Sequence, residues 1–111
     1  AAGALDRLFT YARGEMLSGA QRAALVRETA PEGQGDATAG ELVAAFEARV
    51  EHALAQLRDT PVDRLTDARE VGRAKLPSTV LGLLFHGAEH TQRHVGQTIT
   101  TAKVVAGLRS E

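Results

Sequence analysis

The spacing of apolar residues along the chain predicts a protein built from helices. Residues 1–12 carry apolar side chains three or four positions apart, and residues 41–57 keep the same rhythm. Residues 77–108 form a longer helical pattern, with Pro77 suited to its first turn and Gly107 near its end. This last helix is apolar on two faces, so we expect it to be the central helix of a bundle.

Local capping signals place the shorter elements. Gly14 suits the position just after a helix C-terminus, and Ser18 with Gln21 forms a capping box for a short connecting helix to about residue 29. Thr38 with Glu41 forms a second capping box, which opens the helix over 41–57. The sequence therefore predicts three main helices and a short one.

Two segments lack helical periodicity. Residues 31–40 are rich in glycine, proline and small polar residues, which is typical of a loop. Residues 60–76 contain the helix breaker Pro61 and many charged residues. We expect a helical turn followed by an extended crossover there, without strand pairing.

The apolar faces of the two longest predicted helices should meet in one core. Three phenylalanines and one tyrosine are too few to fill it, so smaller aliphatic side chains must do so, which favours closely packed helices in a single domain spanning 1–111. The expected core members are Leu42, Phe46, Val50, Leu54, Leu57, Leu84, Val95 and Ile99.

Charge and composition narrow the possible partners. Thirteen basic and fourteen acidic residues are interspersed, so no basic surface favours nucleic acid or a membrane. No apolar run approaches the roughly 20 residues that span a bilayer. The chain has no cysteine and therefore no thiol nucleophile of its own. We expect a soluble cytoplasmic protein.

Three of the four histidines fall on one stripe of the last predicted helix. His86, His90 and His94 are spaced by four residues, and we expect them to point into the bundle. About 12 Å along the axis separates the first from the last, so only a neighbouring pair can share one metal ion. His52 lies beside Glu51 on the polar side of its helix and is expected to be a surface residue.

The stripe has two interpretations that need no knowledge of relatives. It can be a hydrogen-bonded structural array, although each neutral imidazole offers only one donor and one acceptor. His86, Glu89 and His90 also match the H-x-x-E-H pattern of zinc hydrolases, in which the glutamate activates water. That chemistry needs a third ligand, and Glu111 is the sole carboxylate after His90.

Three stretches of the chain resemble the DinB superfamily of bundle proteins. They are LLFHGAEHTQRHVGQ at 83–97, with H-x-x-x-H followed by glycine and glutamine, AGALDRLFTYARGE at 2–15 with Leu17 and Ser18, and LPSTVL at 76–81. The resemblance implies an all-α, up-and-down bundle in which three histidines hold a divalent metal ion such as zinc, nickel or iron. By match to the motif, two of the ligands are His90 and His94. The third ligand and the family's first helix would precede Ala1, so we expect an incomplete bundle.

The resemblance also implies a range of functions. Some relatives are transferases that use a small thiol, and the chain would then bind that thiol and an electrophile. The alternatives are a non-catalytic metal-binding or self-association module and, less favoured, a zinc hydrolase. His86, Glu89 and Gln97 are expected to line the pocket or to contact the ligands. We expect a homodimer, in which a partner covers the apolar surface left by the absent helix.

Overall fold

The structure, a computed structural model, describes residues 2–29 and 38–109. Within these residues it contains four helices, a short 3-10 helix and a two-stranded sheet, which confirms the predicted all-α class. Most of the loop predicted over 31–40 lies outside the described residues. In chain order the elements are α1 (Ala2–Ala12), α2 (Gly19–Thr29), α3 (Ala39–Asp59), the 3-10 helix (Val62–Arg64), β1 (Ala68–Val71), β2 (Leu76–Thr79) and α4 (Val80–Arg109).

The three predicted capping signals, after α1 and before α2 and α3, are confirmed. In α2 the Ser18 hydroxyl accepts from the Gln21 amide, and the Gln21 side chain accepts from the Ser18 amide. Thr38 and Glu41 make the same reciprocal pair at α3. At the end of α1, Gly14 has φ +80°, and the amides of Gly14 and Glu15 return to carbonyls of the last turn, forming a Schellman motif.

Consecutive helices alternate in direction, as the predicted up-and-down topology requires. Gln21 of α2 bonds Asp6 and Thr10, while Glu28 pairs with Arg7, so α2 runs antiparallel to α1. Further contacts give the other two directions. Arg49 pairs with Asp6, and Gln56 bonds Phe9, so α3 runs parallel to α1. Ala12 lies near Val80, while Leu5 and Phe9 lie against Gly87. The last helix, α4, therefore runs antiparallel to α1.

The core centres on α1, not on α4 as predicted. Buried residues come from α1 (Leu5, Phe9, Tyr11, Ala12), α3 (Ala53) and the start of α4 (Val80, Leu83, Leu84). The predicted core is therefore largely wrong. Phe46 and Val50 are only half-buried, Leu84 is buried, and the remaining predicted members, Leu42, Leu54, Leu57, Val95 and Ile99, are 36–60 % exposed.

The difference in helix length explains this pattern. At 1.5 Å per residue α1 is about 16 Å long, whereas α4 is about 45 Å long. Because α1 covers only the first part of α4, every residue from 95 to 109 is exposed in the structure. Residues 39–45 of α3 are exposed in the same way. Both long helices extend past the start of α1 at the same end of the molecule.

A β-hairpin replaces the predicted crossover, so the expectation of no strand pairing was wrong. β1 and β2 pair antiparallel, with Arg69 opposite Ser78 and Glu70 opposite Pro77. Pro77 therefore belongs to a strand and does not begin α4. Period-two alternation is hidden in β1 because Arg69 points inward, where its Nε donates to the carbonyl of Ala12 at 2.9 Å.

The start of α4 is fixed by local and tertiary hydrogen bonds. The Thr79 hydroxyl accepts from the amide of Gly82 at 3.0 Å, which is the geometry of an N-cap. The carbonyls of Asp67 and Leu65 accept from the first two amides of the helix, those of Val80 and Leu81. These bonds hold α4 against the turn that precedes β1.

Candidate metal site

The three histidines of α4 follow one another along the same side of the helix. The ring centroids of His90 and His94 are 4.3 Å apart with planes inclined at 58°. The rings of His86 and His90 are 5.9 Å apart and nearly perpendicular, at 76°. The closest approach therefore joins His90 and His94, which we call the histidine pair.

The histidine pair lies at the border between core and surface. Both side chains are half-buried, whereas His86 and Gln97 are exposed. The prediction that the histidines point inward is thus right only in part. The pair lies beyond the buried start of α4, near the level of the first turn of α1, so one side of each ring remains open.

The surroundings of His90 favour its neutral form. Partial burial, followed by the nearby charges of His94 and Arg93, lowers the pKa of His90 from its ordinary value of 6.5. A neutral imidazole retains a nitrogen lone pair near pH 7. Metal coordination requires that lone pair.

Arg93 is a further residue of the site, which sequence reasoning did not single out. Its Nη2 lies 3.3 Å from Nδ1 of His90 and 3.4 Å from a carboxylate oxygen of Glu89. A guanidinium only donates, so Nδ1 accepts and the proton of neutral His90 lies on Nε2. Coordination through Nε2 would move that proton to Nδ1 and end the bond from Arg93. The i, i+3 and i, i+4 spacings of Arg93 were the available signal.

The geometry of the histidine pair fits coordination of one ion after a small rotation. With metal–nitrogen bonds of about 2 Å, two imidazoles on a tetrahedral ion have centroids about 5 Å apart. The observed separation of 4.3 Å is close to this value.

The described residues place no third metal ligand beside the histidine pair. Within 2–29 and 38–109, no group of three or more histidine, aspartate or glutamate side chains is arranged to hold a metal ion. Glu89 forms an ion pair with Arg93, and the described residues show no hydrogen bond between Gln97 and the histidine pair. His52 on α3 is exposed, which confirms its predicted place on the surface.

A cavity of about 300 Å³ lies at the opposite end of the molecule, between α1, α3 and the hairpin. Arg13, Arg64 and Arg69 line it, but each already has partners. Arg13 binds Gln56 and Glu15, Arg64 pairs with Asp67, and Arg69 bonds two backbone carbonyls. These arginines therefore stabilise the ends of helices and turns. Because their side chains already have partners, the histidine pair is the better candidate site.

The comparisons with known proteins agree with the fold. No helix of the described residues is long and apolar enough to cross a membrane. Neither a search of curated proteins nor a search of solved structures returned a match. The family model of the DinB superfamily matches residues 2–98, which include α1 to α3, the hairpin and the histidine pair. The chain therefore belongs to the DinB superfamily.

Proposed function

We propose that the chain binds a divalent metal ion through His90 and His94 and leaves coordination positions open for a small thiol. In this proposal the protein is a metal-dependent thiol S-transferase, which joins that thiol to an electrophile. The observation that carries the proposal is the 4.3 Å approach of two imidazoles on the open side of α4 in a member of the DinB superfamily.

The absence of cysteine from the sequence makes a borrowed thiol chemically reasonable. A divalent ion lowers the pKa of a thiol that it binds, so that the reactive thiolate is present at neutral pH. Zinc, nickel and iron all accept imidazole ligands. His90 and His94 would supply the two nitrogens, and the lowered pKa of His90 favours its neutral ring.

The neighbouring side chains take positioning roles. Glu89 holds Arg93 at 3.4 Å. If His90 bound the ion through Nε2, its ring proton would lie on Nδ1, and Arg93 would no longer donate to that nitrogen. The guanidinium is then free to pair with an anionic group of the thiol or of the electrophile. His86 and Gln97 are exposed on the same side of α4 and border the approach to the site.

A zinc hydrolase is less well supported. In the H-x-x-E-H pattern Glu89 must activate water, but its carboxylate is exposed and paired with Arg93. A non-catalytic module that associates with itself is the second candidate. The exposed apolar residues of α4, which include Val104 (56 %) and Leu108 (67 %), favour it.

Metal binding and thiol transfer are tested separately. Calorimetry with zinc and nickel should show that His90→Ala and His94→Ala lower metal affinity at least about 100-fold, because one imidazole remains. His52→Ala, on the surface of α3, is the matched control and should bind like the parent. Unchanged affinity in both site variants would overturn the assignment of the ligands.

The metal-loaded protein is then given a panel of low-molecular-weight thiols and electrophiles, and conjugates are detected by mass spectrometry. Formation that depends on both metal and His90 supports the transferase. Tight metal binding without any conjugate favours the non-catalytic module.

A further inference from the structure

We propose that two copies of this chain associate through an antiparallel pair of α4 helices, on the side of α4 that faces away from His90. The inference goes beyond the proposed function, because the contact requires neither a metal ion nor a thiol. In such a dimer the histidine pair of each copy lies outside the contact.

A stripe of apolar and small side chains runs along the exposed side of α4. Its members are separated alternately by four and three residues, which is the spacing by which two helices pair along a seam. At 100° per residue, the centre of the stripe lies about 170° round the helix from His90. We call this stripe the α4 seam, and its members are Leu81, Phe85, Ala88, Gln92, Val95, Ile99, Ala102 and Ala106.

The α4 seam is uncovered in the described part of the chain. All eight residues are exposed, and Phe85, Leu81 and Ile99 are 70, 51 and 51 % exposed. α1 packs against a different side of α4, at Leu83 and Gly87. The seam is about 38 Å long and about 10 Å wide, so it matches the largest apolar patch of a typical soluble monomer, which often marks an interaction site.

The α4 seam is complementary to itself in one antiparallel register. A twofold axis at its middle, between positions 93 and 94, sets residue i opposite residue 187 − i of the partner. Large side chains then face small ones: Leu81 faces the partner's Ala106, Phe85 faces the partner's Ala102, and Ile99 faces the partner's Ala88. A surface that fits its own copy in this way indicates a second copy of the chain as the occupant.

A parallel pair would pack the same residues poorly. Identical positions would then lie side by side, so that Phe85 meets the partner's Phe85 while three layers contain only alanine. Those alanine layers would leave gaps between helices that the larger layers hold apart. Steric fit therefore favours the antiparallel arrangement.

The charges beside the α4 seam favour the same register. Glu89 and Lys103 lie on one flank of the seam, fourteen positions apart in the sequence, or about 21 Å along the helix. In the antiparallel pair, Glu89 and the partner's Lys103 are about 7.5 Å apart along the axis, and both side chains lean toward their own helix N-terminus, and so toward each other. This contact forms twice. Arg93 lies about 130° round the helix from the seam and pairs with Glu89 of its own chain, so it stays outside the contact.

Gln92 is the polar member of the α4 seam. In the antiparallel register it lies about 4.5 Å along the axis from the partner's Gln92, close to the twofold axis. Each amide side chain both donates and accepts, so the two can bond each other. A single polar position in a seam fixes the register at a cost in stability. Together with the small size of the contact, this predicts a weak, reversible dimer.

The experiment is sedimentation of the 111-residue chain over a series of concentrations, with a chelator present. The parent should show a reversible monomer–dimer equilibrium. Ile99→Lys should raise the dimer dissociation constant at least about tenfold, because the contact would bury an ammonium group of each copy. Val104→Lys is the matched control: Val104 is also exposed and aliphatic, at 56 %, but lies on the histidine side of α4. It should dimerise like the parent.

The outcomes separate this contact from other modes of association. A parent that stays monomeric at millimolar concentration overturns the inference. Dimers that survive Ile99→Lys but not Val104→Lys would place the contact on the histidine side, which also overturns it. Dimers that form only after zinc is added overturn the inference and leave the proposed function standing.

Disulfide trapping tests the register, since the chain has no cysteine. Ala88→Cys and Ile99→Cys are made in separate chains, mixed in equal amounts and oxidised under mild conditions. The two positions face each other in the antiparallel pair, within reach of a disulfide, whereas identical positions are about 16 Å apart along the axis. The mixed disulfide should exceed each symmetric one at least about tenfold. An excess of symmetric disulfides, or a statistical mixture, contradicts the antiparallel register.

Discussion

Gly87 is the residue at which α1 and α4 come closest. A Cβ added there would lie 2.9 Å from Phe9 and 3.4 Å from Leu5, both buried side chains. The contact sets the distance between the two helices. Alanine at this position must push the helices apart or force Phe9 out of its rotamer.

We expect Gly87→Ala to lower the free energy of unfolding by about 1 to 2 kcal/mol, since the cost of overpacking exceeds the gain in helix propensity. Gly96 lies in the same helix with nothing within 4 Å of an added Cβ. Gly96→Ala should therefore raise stability, by up to about 1 kcal/mol. Urea titrations give the free energy of unfolding of both variants. Equal changes of that free energy in the same direction would contradict the close packing at Gly87.

Phe9 and Phe46 both lie on the apolar face of a helix, but they differ in burial. Phe9 is 6 % exposed at the centre of the core, whereas Phe46 is half-buried beside the exposed Leu42. We expect Phe9→Ala to cost about 3 to 5 kcal/mol, the range for a buried phenylalanine. Phe46→Ala should cost less than about 2 kcal/mol, because much of its ring already contacts water. A larger loss at Phe46, measured at constant m-value, would place it in the core after all.

At the scale of elements, features that depend on only a few neighbouring residues could be predicted from the sequence. The capping boxes at Ser18 and Thr38 and the glycine after α1 each depend on neighbours within a turn or so of the chain, and each has the expected geometry. The start of α4 was misplaced, at Pro77 instead of Val80, because proline suits both a first helical turn and an edge strand. Thr79, an N-cap residue type, was the better signal.

The hairpin and the core could not be read from the same local signals. β1 places Arg69 inward, where it meets the carbonyl of Ala12, 57 positions earlier in the chain. Nothing near Arg69 in the sequence indicates this partner. Similarly, a helical wheel shows that α4 has apolar faces but not how far α1 extends along them. The close approach of His90 and His94 could be predicted because their spacing of one turn is local, whereas contacts between the pair and other elements depend on the tertiary structure.

At the scale of the whole molecule, the two longest helices share one uncovered end. Arg49 pairs with Asp6, so the part of α3 before Arg49 extends past the start of α1. Leu5 contacts Gly87, so the second half of α4 extends past the start of α1 at the same end. The molecule is accordingly elongated, with a longest extent of 54 Å. The histidine pair lies where the covered and uncovered parts of α4 meet.

The uncovered half of α4 should be the least stable helical segment of the described chain. Residues 95–109 include many β-branched side chains and two glycines, which have low helix propensity, and all are exposed. An isolated helix of about 15 residues is marginal in water, so this half must be held mainly by the covered half. Residues 80–91, in contrast, contain Val80, Leu83 and Leu84, which are buried.

In the metal-free monomer, amides of 95–109 should exchange with deuterium at least about tenfold faster than those of 80–91, because local opening there exposes little new apolar surface. Zinc should slow exchange in the turns around His90 and His94 if these two residues bind it, and the His52→Ala variant should show the same slowing. Equal protection along the whole of α4 in the metal-free monomer would mean that its second half is stabilised by contacts other than those that the described residues make.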